Sequence, residues 1–249
     1  MASQVKQFFP DYQAALAASG AGYNDAAIAE VIAYKTALPL DRNGPLPEQA
    51  VNSILAVSFA AAAVAERPLR VLDFGGGCGF HYLQVTAAMP LPLRWAIVET
   101  PTMAVRAKAI AQGRFEVFSR TDEAIACLGG VDLVHASASL QYTPDPFFAL
   151  AELVRPQPPF IALLRLPLWI GERTVGLEEA PLAGHGIGPL PPGVADRPIA
   201  CPVTLINFGA LQRALSHYEI AFGAESASAR FRVAGTNVPG VSVFFRRKP

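Results

Sequence analysis

The spacing of apolar positions along the chain changes near residue 67. Upstream of it the pattern predicts helices. Ala14, Ala15, Leu16, Ala17 and Ala18 favour a first helix, which Gly20-Ala21-Gly22 ends. Asn24 or Asp25 can cap a second, running to about Lys35, and residues 39–47 read as a turn-rich connector. Pro47-Glu48 opens a third helix that runs to about Glu66, with proline in its first turn. Downstream, short apolar runs at 69–74, 94–99, 115–118, 131–136 and 160–166 alternate with helical patterns at 80–88, 101–112, 121–128 and 146–153. That alternation predicts a parallel sheet covered by helices on both faces. Two further strands, 218–222 and 241–246, are expected to close the sheet edge as an antiparallel pair after a turn at Pro239-Gly240. The Gly/Pro-rich stretch 184–202 reads as a long loop, either a mobile gate or a variable insertion. The chain thus divides into an N-terminal helical segment, residues 1–66, and an α/β domain, residues 67–249.

Composition narrows the function. Lys+Arg and Asp+Glu are both 20, for a net charge of +0, which argues against a nucleic-acid backbone binder. With 52% hydrophobic and 16% charged residues the chain can fill a core and is not disordered. The apolar run at 54–65 would be a helix of about 18 Å, short of the roughly 30 Å of a bilayer core, so no membrane span is expected. Three cysteines, at 78, 127 and 201, are odd in number and far apart. They suggest reduced thiols in a cytoplasm, and with four histidines and no CxxC pair no metal site is expected.

The chemistry concentrates in Asp73-Phe74-Gly75-Gly76-Gly77-Cys78-Gly79, placed between a strand and a helix. Glycines there let the backbone turn with positive φ and let a ligand approach closely. A dinucleotide fingerprint, G-x-G-x-x-G, fails at its third glycine, where Phe80 stands. The acid-then-three-glycine pattern of class I methyltransferases matches at Asp73, Gly75, Gly77 and Gly79. Glu99, closing the second strand, can accept hydrogen bonds from both ribose hydroxyls of a cofactor, an arrangement shared by NAD enzymes.

Through LDFGGGCGFHY, WAIVETP, VHASASLQYTPDP and ALLRLP, the chain resembles a bacterial methyltransferase family whose members often lie among surface-polysaccharide genes. The resemblance spans roughly residues 70–170. It implies the Rossmann-like seven-stranded class I sheet, mostly parallel with an antiparallel last strand. It also implies S-adenosylmethionine as cofactor and a small-molecule or sugar acceptor. A non-catalytic cofactor-binding module and an NAD-linked oxidoreductase are the rival readings.

Ligands of open α/β sheets sit beyond the carboxyl ends of the strands, which selects the candidates. For the cofactor these are Asp73, Gly75, Gly76, Gly77, Gly79, Glu99, Ser119 (where such folds place an adenine contact) and Ser137. Asp73 can orient the glycine loop, reach the methionine amine through water, or merely cap loop N–H groups. Gln141, Tyr142 and Arg165 are the acceptor candidates. Arg165 lies within apolar LLRLP, where a charge needs a partner: an acidic acceptor, or Glu99 or Asp73. A base for a hydroxyl acceptor is sought among His81, His135 and Tyr142. The alternative for His81 is a bond to its own loop, and for His135 a satisfied core position. Phe8, Phe9, Tyr12, Tyr23 and Tyr34 either line an aromatic lid or simply pack. Gln157-Pro158-Pro159-Phe160 is similar to the Asn-Pro-Pro-Tyr element of amino-methyltransferases but precedes the wrong strand, and reads as a turn.

Overall fold

The structure, a computed structural model, describes residues 3–39, 44–64 and 67–249, with backbone only at 3 and 227–230. In chain order the elements are β1 (Ser3–Phe9), α1 (Tyr12–Ser19), α2 (Ala26–Ala37), α3 (Glu48–Ala63), β2 (Leu69–Phe74), α4 (Phe80–Ala88), β3 (Leu93–Val98) and α5 (Pro101–Ala111). Then follow β4 (Glu116–Phe118), α6 (Thr121–Leu128), β5 (Leu133–Ser137), α7 (Pro146–Val154), β6 (Phe160–Trp169), β7 (Thr174–Pro181), β8 (Pro198–Asn207), α8 (Phe208–Ala214), β9 (Tyr218–Val233) and β10 (Thr236–Arg247).

Local signals set the helix ends. Asp11, Asp25, Thr100 and Asp145 each accept a hydrogen bond from a first-turn N–H of α1, α2, α5 and α7. Of the two caps expected for α2, Asp25 is the one used. The expected end of α3 at Glu66 lies outside the described residues; the described helix stops at Ala63.

The strands form one sheet in the order β10-β9-β1-β7-β8-β6-β5-β2-β3-β4, and β10 also pairs with β6. Read as β4-β3-β2-β5-β6-β10-β9, seven strands lie as expected: the first five parallel, with β10 antiparallel between β6 and β9. Successive strand residues face opposite sides. Val71, Ile97 and Ala162 pack under α2 to α5, while Leu72, Ala96 and Ile161 pack on α6, α7 and α8.

A plain seven-stranded sheet is nevertheless not what forms. Strands β1, β7 and β8 extend it, and the β10–β6 pairing closes β6, β10, β9, β1, β7 and β8 into a ring. Its interior holds Val5, Val203, Leu205, Phe231, Val233 and Val238. Three expectations are corrected. The N-terminal segment begins with a strand, β1, between β7 and β9, not with a helix. The end of the supposed loop 184–202 belongs to β8. The final hairpin turns at Ala234-Gly235, both at positive φ, while Pro239-Gly240 lies inside β10 at a register shift.

Strand β6 is the fork. Its first residues pair with β5 on one edge and β10 on the other, and Leu168 and Trp169 pair with β8. Between Leu163 and Leu166 the pairing with β10 shifts register, and within that bulge Arg165 has φ +58. Ala138, just past β5, has φ +52. A non-glycine residue held there costs about 1–3 kcal/mol and persists only where its surroundings impose it. Bulges also re-aim side chains, and here one turns Arg165 across the carboxyl end of β5.

Candidate functional site

Strand β2 ends in the glycine loop, and the next helix, α4, starts from Gly79 at φ +93. The loop faces the carboxyl ends of β2, β3 and β5, as the sheet rule requires. A side chain at Gly75 would collide with Ser139, at Gly76 with the Asp73 carboxylate and at Gly79 with the Phe115 ring. Those three glycines therefore have neighbours inside the protein that exclude a side chain. Gly77 differs: at φ +58 its nearest neighbour is Ile32 Cγ2 of α2, 3.4 Å from where a Cβ would stand. Glu99 reaches the same point from β3. Its Oε1 accepts the Gly77 N–H at 2.8 Å and its Oε2 the Thr100 N–H at 2.8 Å. Burial pushes the Glu99 carboxyl up to about 7, against the pull of these two N–H groups. Ser119 is exposed just past β4 and takes no part in this arrangement.

Asp73 does not face the loop's open side. Its Oδ2 accepts from Trp95 Nε1 at 3.1 Å and its Oδ1 from His135 Nδ1 at 2.7 Å, with both Asp73 and His135 wholly buried. The chain of contacts continues from His135 Nε2 to Ser53 Oγ (2.9 Å) and from Ser53 Oγ to His81 Nδ1 (2.8 Å). Nδ1–H donated to Asp73 leaves His135 Nε2 as an acceptor for the Ser53 hydroxyl. Ser53 Oγ then accepts from His81 Nδ1–H, and the lone pair of His81 sits on Nε2. The same hydroxyl also lies 2.9 Å from the Gln49 carbonyl, and its single proton serves one acceptor at a time. His81 bonds Ser53 rather than its own loop. Its Nε2 has no protein partner among the described residues, yet it is not one of the sealed orphan atoms, so it meets accessible space. Burial first, then the neighbouring His135 and Arg165, hold His81 well below its usual pKa, and its ring is neutral at pH 7.

Sequence reasoning missed Ser53. The signal was present, since Ala50, Ser53, Ala56, Val57 and Ala60 form one buried stripe of α3 at helical spacing. A lone serine in an apolar stripe needs a partner.

The acceptor candidates gather at the mouth of the ring. Tyr142 donates its hydroxyl to Glu178 Oε2 of β7, and its carbonyl accepts from Tyr12. The Tyr23 ring packs on it with centroids 4.4 Å apart. Burial, then Glu178, raise the Tyr142 hydroxyl well above its usual pKa, so it stays protonated. Gln141 is fully buried, and among the described residues neither atom of its amide has a partner. Arg165 pairs with neither Glu99 nor Asp73. Its Nε donates to Ser137 Oγ at 3.1 Å and its Nη2 to the Ser137 carbonyl at 3.3 Å. The start of the 184–202 segment is tied to α2, where Lys35 Nζ donates to the Gly186 carbonyl at 3.4 Å and to that of Ala183, just before the segment, at 2.7 Å. Glu178 and its strand carried no motif that sequence reasoning could use.

Among the described residues no cluster of His, Cys, Asp or Glu is arranged to hold a metal ion, and no helix is long and apolar enough to cross a membrane.

No family model and no curated protein matches this sequence. Solved structures do match in fold. The N-terminal domain of EvdMO1, crystallised in the presence of SAH and D-fucose, is 15% identical with a TM-score of 0.51, over 87% of this chain and 94% of that one. CalS10, an amino pentose methyltransferase from Micromonospora echinaspora solved with SAM bound, is 15% identical with a TM-score of 0.50, over 86% and 94%. Identities this low establish the fold and nothing finer. The chain has the class I methyltransferase fold, elaborated by the closed ring.

Proposed function

We propose that the chain is an S-adenosylmethionine-dependent methyltransferase acting on a small molecule or sugar. The observation that carries the reading is the pairing of Gly77, the loop glycine whose nearest neighbour is Ile32 of α2 and not its own loop or strand, with the Glu99 carboxylate, whose Oε1 accepts its N–H at 2.8 Å. That pair offers a close backbone approach and a ribose acceptor at the carboxyl ends of adjacent parallel strands. The solved sugar methyltransferase of the same fold supports the substrate class.

Gly77 and Glu99 would hold the nucleoside part of the cofactor, with Gly75, Gly76 and Gly79 shaping the loop and Ser137 beside it. The bound cofactor supplies a methyl group made electrophilic by its sulfonium. The chain's own residues then have to align the acceptor and remove its proton. His81 is the base in this reading. It is neutral, and Nε2 is its unpaired nitrogen. His135 and Ser53 fix its tautomer, and Asp73 anchors the far end. Tyr142 orients rather than deprotonates, because its hydroxyl is already given to Glu178. Ile32 and the Asn24 side chain, which accepts from Thr102 N–H at 3.3 Å, place the N-terminal helices as a lid on the loop.

Isothermal calorimetry tests the reading with S-adenosylmethionine, S-adenosylhomocysteine and NADH side by side. Binding of the two sulfur compounds, lost in Glu99→Ala, is expected. Heat from NADH alone, or from none of the three, would overturn it. Binding without transfer to any sugar would reduce the protein to a non-catalytic module.

A further inference from the structure

Arg165 is a cation brought inside without a directly bonded counter-ion among the described residues. Burial works against its charge, and Glu48 acts on it through space. Among the described residues no ion pair joins Arg165 to a carboxylate. Two other guanidinium groups share a buried carboxylate. Asp132, itself 2% exposed, receives Arg67 through two nitrogens at 2.7 Å and Arg70 through its Nε at 3.0 Å and Nη2 at 2.9 Å. Arg165 instead has one neutral residue, Ser137, at 3.1 and 3.3 Å.

A guanidinium carries five N–H donors in a planar fork. Ser137 occupies the Nε–Nη2 side, so Nη1 and the second Nη2 hydrogen stay open. Nη1 is not among the sealed unpaired atoms, and the residue is only partly buried, so a ligand can reach this edge. The edge is in the right place. Arg165 bonds the last residue of β5, and its backbone N–H donates to Ser242 Oγ at 3.3 Å. The same hydroxyl accepts from Asn52 of α3 at 3.3 Å, one residue before Ser53, the partner of His81. The bulge and the left-handed backbone hold it there at a cost in strain.

We propose that the acceptor carries an anionic group, a carboxylate or a phosphate, and that the open edge of Arg165 binds it beside His81. This rests on the methyl-transfer reading of the same cleft and names its substrate class. A planar, two-pronged anion matches the Nη1–Nη2 edge, and the charge-assisted pair would supply what the interior lacks. The fixed cation then sets the acceptor's register, leaving a neighbouring hydroxyl to face His81.

The test uses three probes of one size: D-glucuronate for the carboxylate, glucose 1-phosphate for the phosphate and neutral D-glucose as reference. Each is titrated calorimetrically into the full chain, with and without S-adenosylhomocysteine. At least one anionic probe should bind about tenfold tighter than glucose, and the better one identifies the group. Arg165→Gln should erase the difference, and Arg165→Lys should keep the preference but narrow it, since lysine lacks the fork. S-adenosylhomocysteine binding should survive in both variants, which certifies that they fold. Equal affinities for the three probes, no binding by any of them at millimolar concentration, or an unchanged preference in Arg165→Gln would overturn the proposal. If S-adenosylhomocysteine fails to bind the wild-type chain, the methyl-transfer reading falls. The anion preference is read independently in the cofactor-free titration.

Discussion

The open limb of the sheet, β4-β3-β2-β5, and the closed ring beyond β6 handle their interior polar groups in opposite ways. In the open limb the inward polar groups satisfy one another. Asp73 accepts from Trp95 and His135, and Ser53 links His135 to His81. At the mouth of the ring the count does not close. Among the described residues Gln141 has neither amide atom paired, and the Arg165 cation rests on a serine. Buried polar groups are rarely left this way, because each unmade bond costs about 1–3 kcal/mol. The limb's network closes on itself as far as His81 Nε2 and can hold that imidazole rigidly. The mouth of the ring leaves polar groups over for a bound molecule, which is why the proposed acceptor is placed there.

The largest effect should come from the end of the relay. His81→Gln should lower kcat on a hydroxyl acceptor by about 10²–10⁴-fold, the usual span for a general base. S-adenosylhomocysteine affinity should hardly change. A variant that loses cofactor binding together with turnover would make His81 a structural residue. Next comes Asp73→Leu, which strips the acceptor from both His135 and Trp95. Breaking such a buried pair costs about 3–5 kcal/mol, read as a lower urea midpoint at constant slope. If the loss is under about 1 kcal/mol, the limb is not the self-satisfied unit described here.

The same contrast explains what the sequence made legible. Strands covered on both faces read as near-continuous apolar runs, and LVHAS of β5 is buried at every position. The glycine loop and Glu99 are recognisable because close approach and an acid at a strand end leave few residue choices. The ring offers no such pattern. In β7, Val175 and Leu177 pack outward on α1, so Gly176 and Glu178 fall on the ring face, the reverse of what hydrophobicity suggests. In β1 a register shift between Val5 and Gln7 breaks the alternation of a seven-residue strand. Ser53 was hidden for another reason, since its partners lie 28 and 82 residues away.

A smaller effect separates cofactor binding from the relay by pH. The Glu99 carboxyl rises from its usual 4.5 to about 7 in the folded chain. An acid shifted upward takes up a proton on folding. Its contribution is therefore fully present below about 4.5 and is lost as pH climbs through 7, by about 2–3 kcal/mol. His81 has the opposite sign. Its folded pKa is depressed, so its contribution is lost as pH falls below its usual 6.5. Glu99→Gln should flatten the part of the decline in thermal stability that falls between about pH 4.5 and 7, and leave the loss from His81 at lower pH intact. It should also remove a tightening of S-adenosylhomocysteine as pH passes 7, because a ribose hydroxyl donates best to the ionised carboxylate. Equal decline in variant and wild type would remove Glu99 from the cofactor site.

The finest discrimination lies at Gln141. With both amide atoms sealed and unpaired, the ligand-free protein bears their desolvation without return. Methionine has nearly the same length and no polar end to satisfy. Gln141→Met should therefore stabilise the free protein by about 1 kcal/mol, a rise of a few degrees in Tm for a chain of this size. The same change should raise KM for the acceptor and leave cofactor affinity alone, since the amide would no longer be there to pair when the mouth fills. A fall in Tm would show that Gln141 is satisfied in the free protein. The mouth of the ring would then be finished in the same sense as the limb, and the reason for placing the acceptor there would shrink to Arg165.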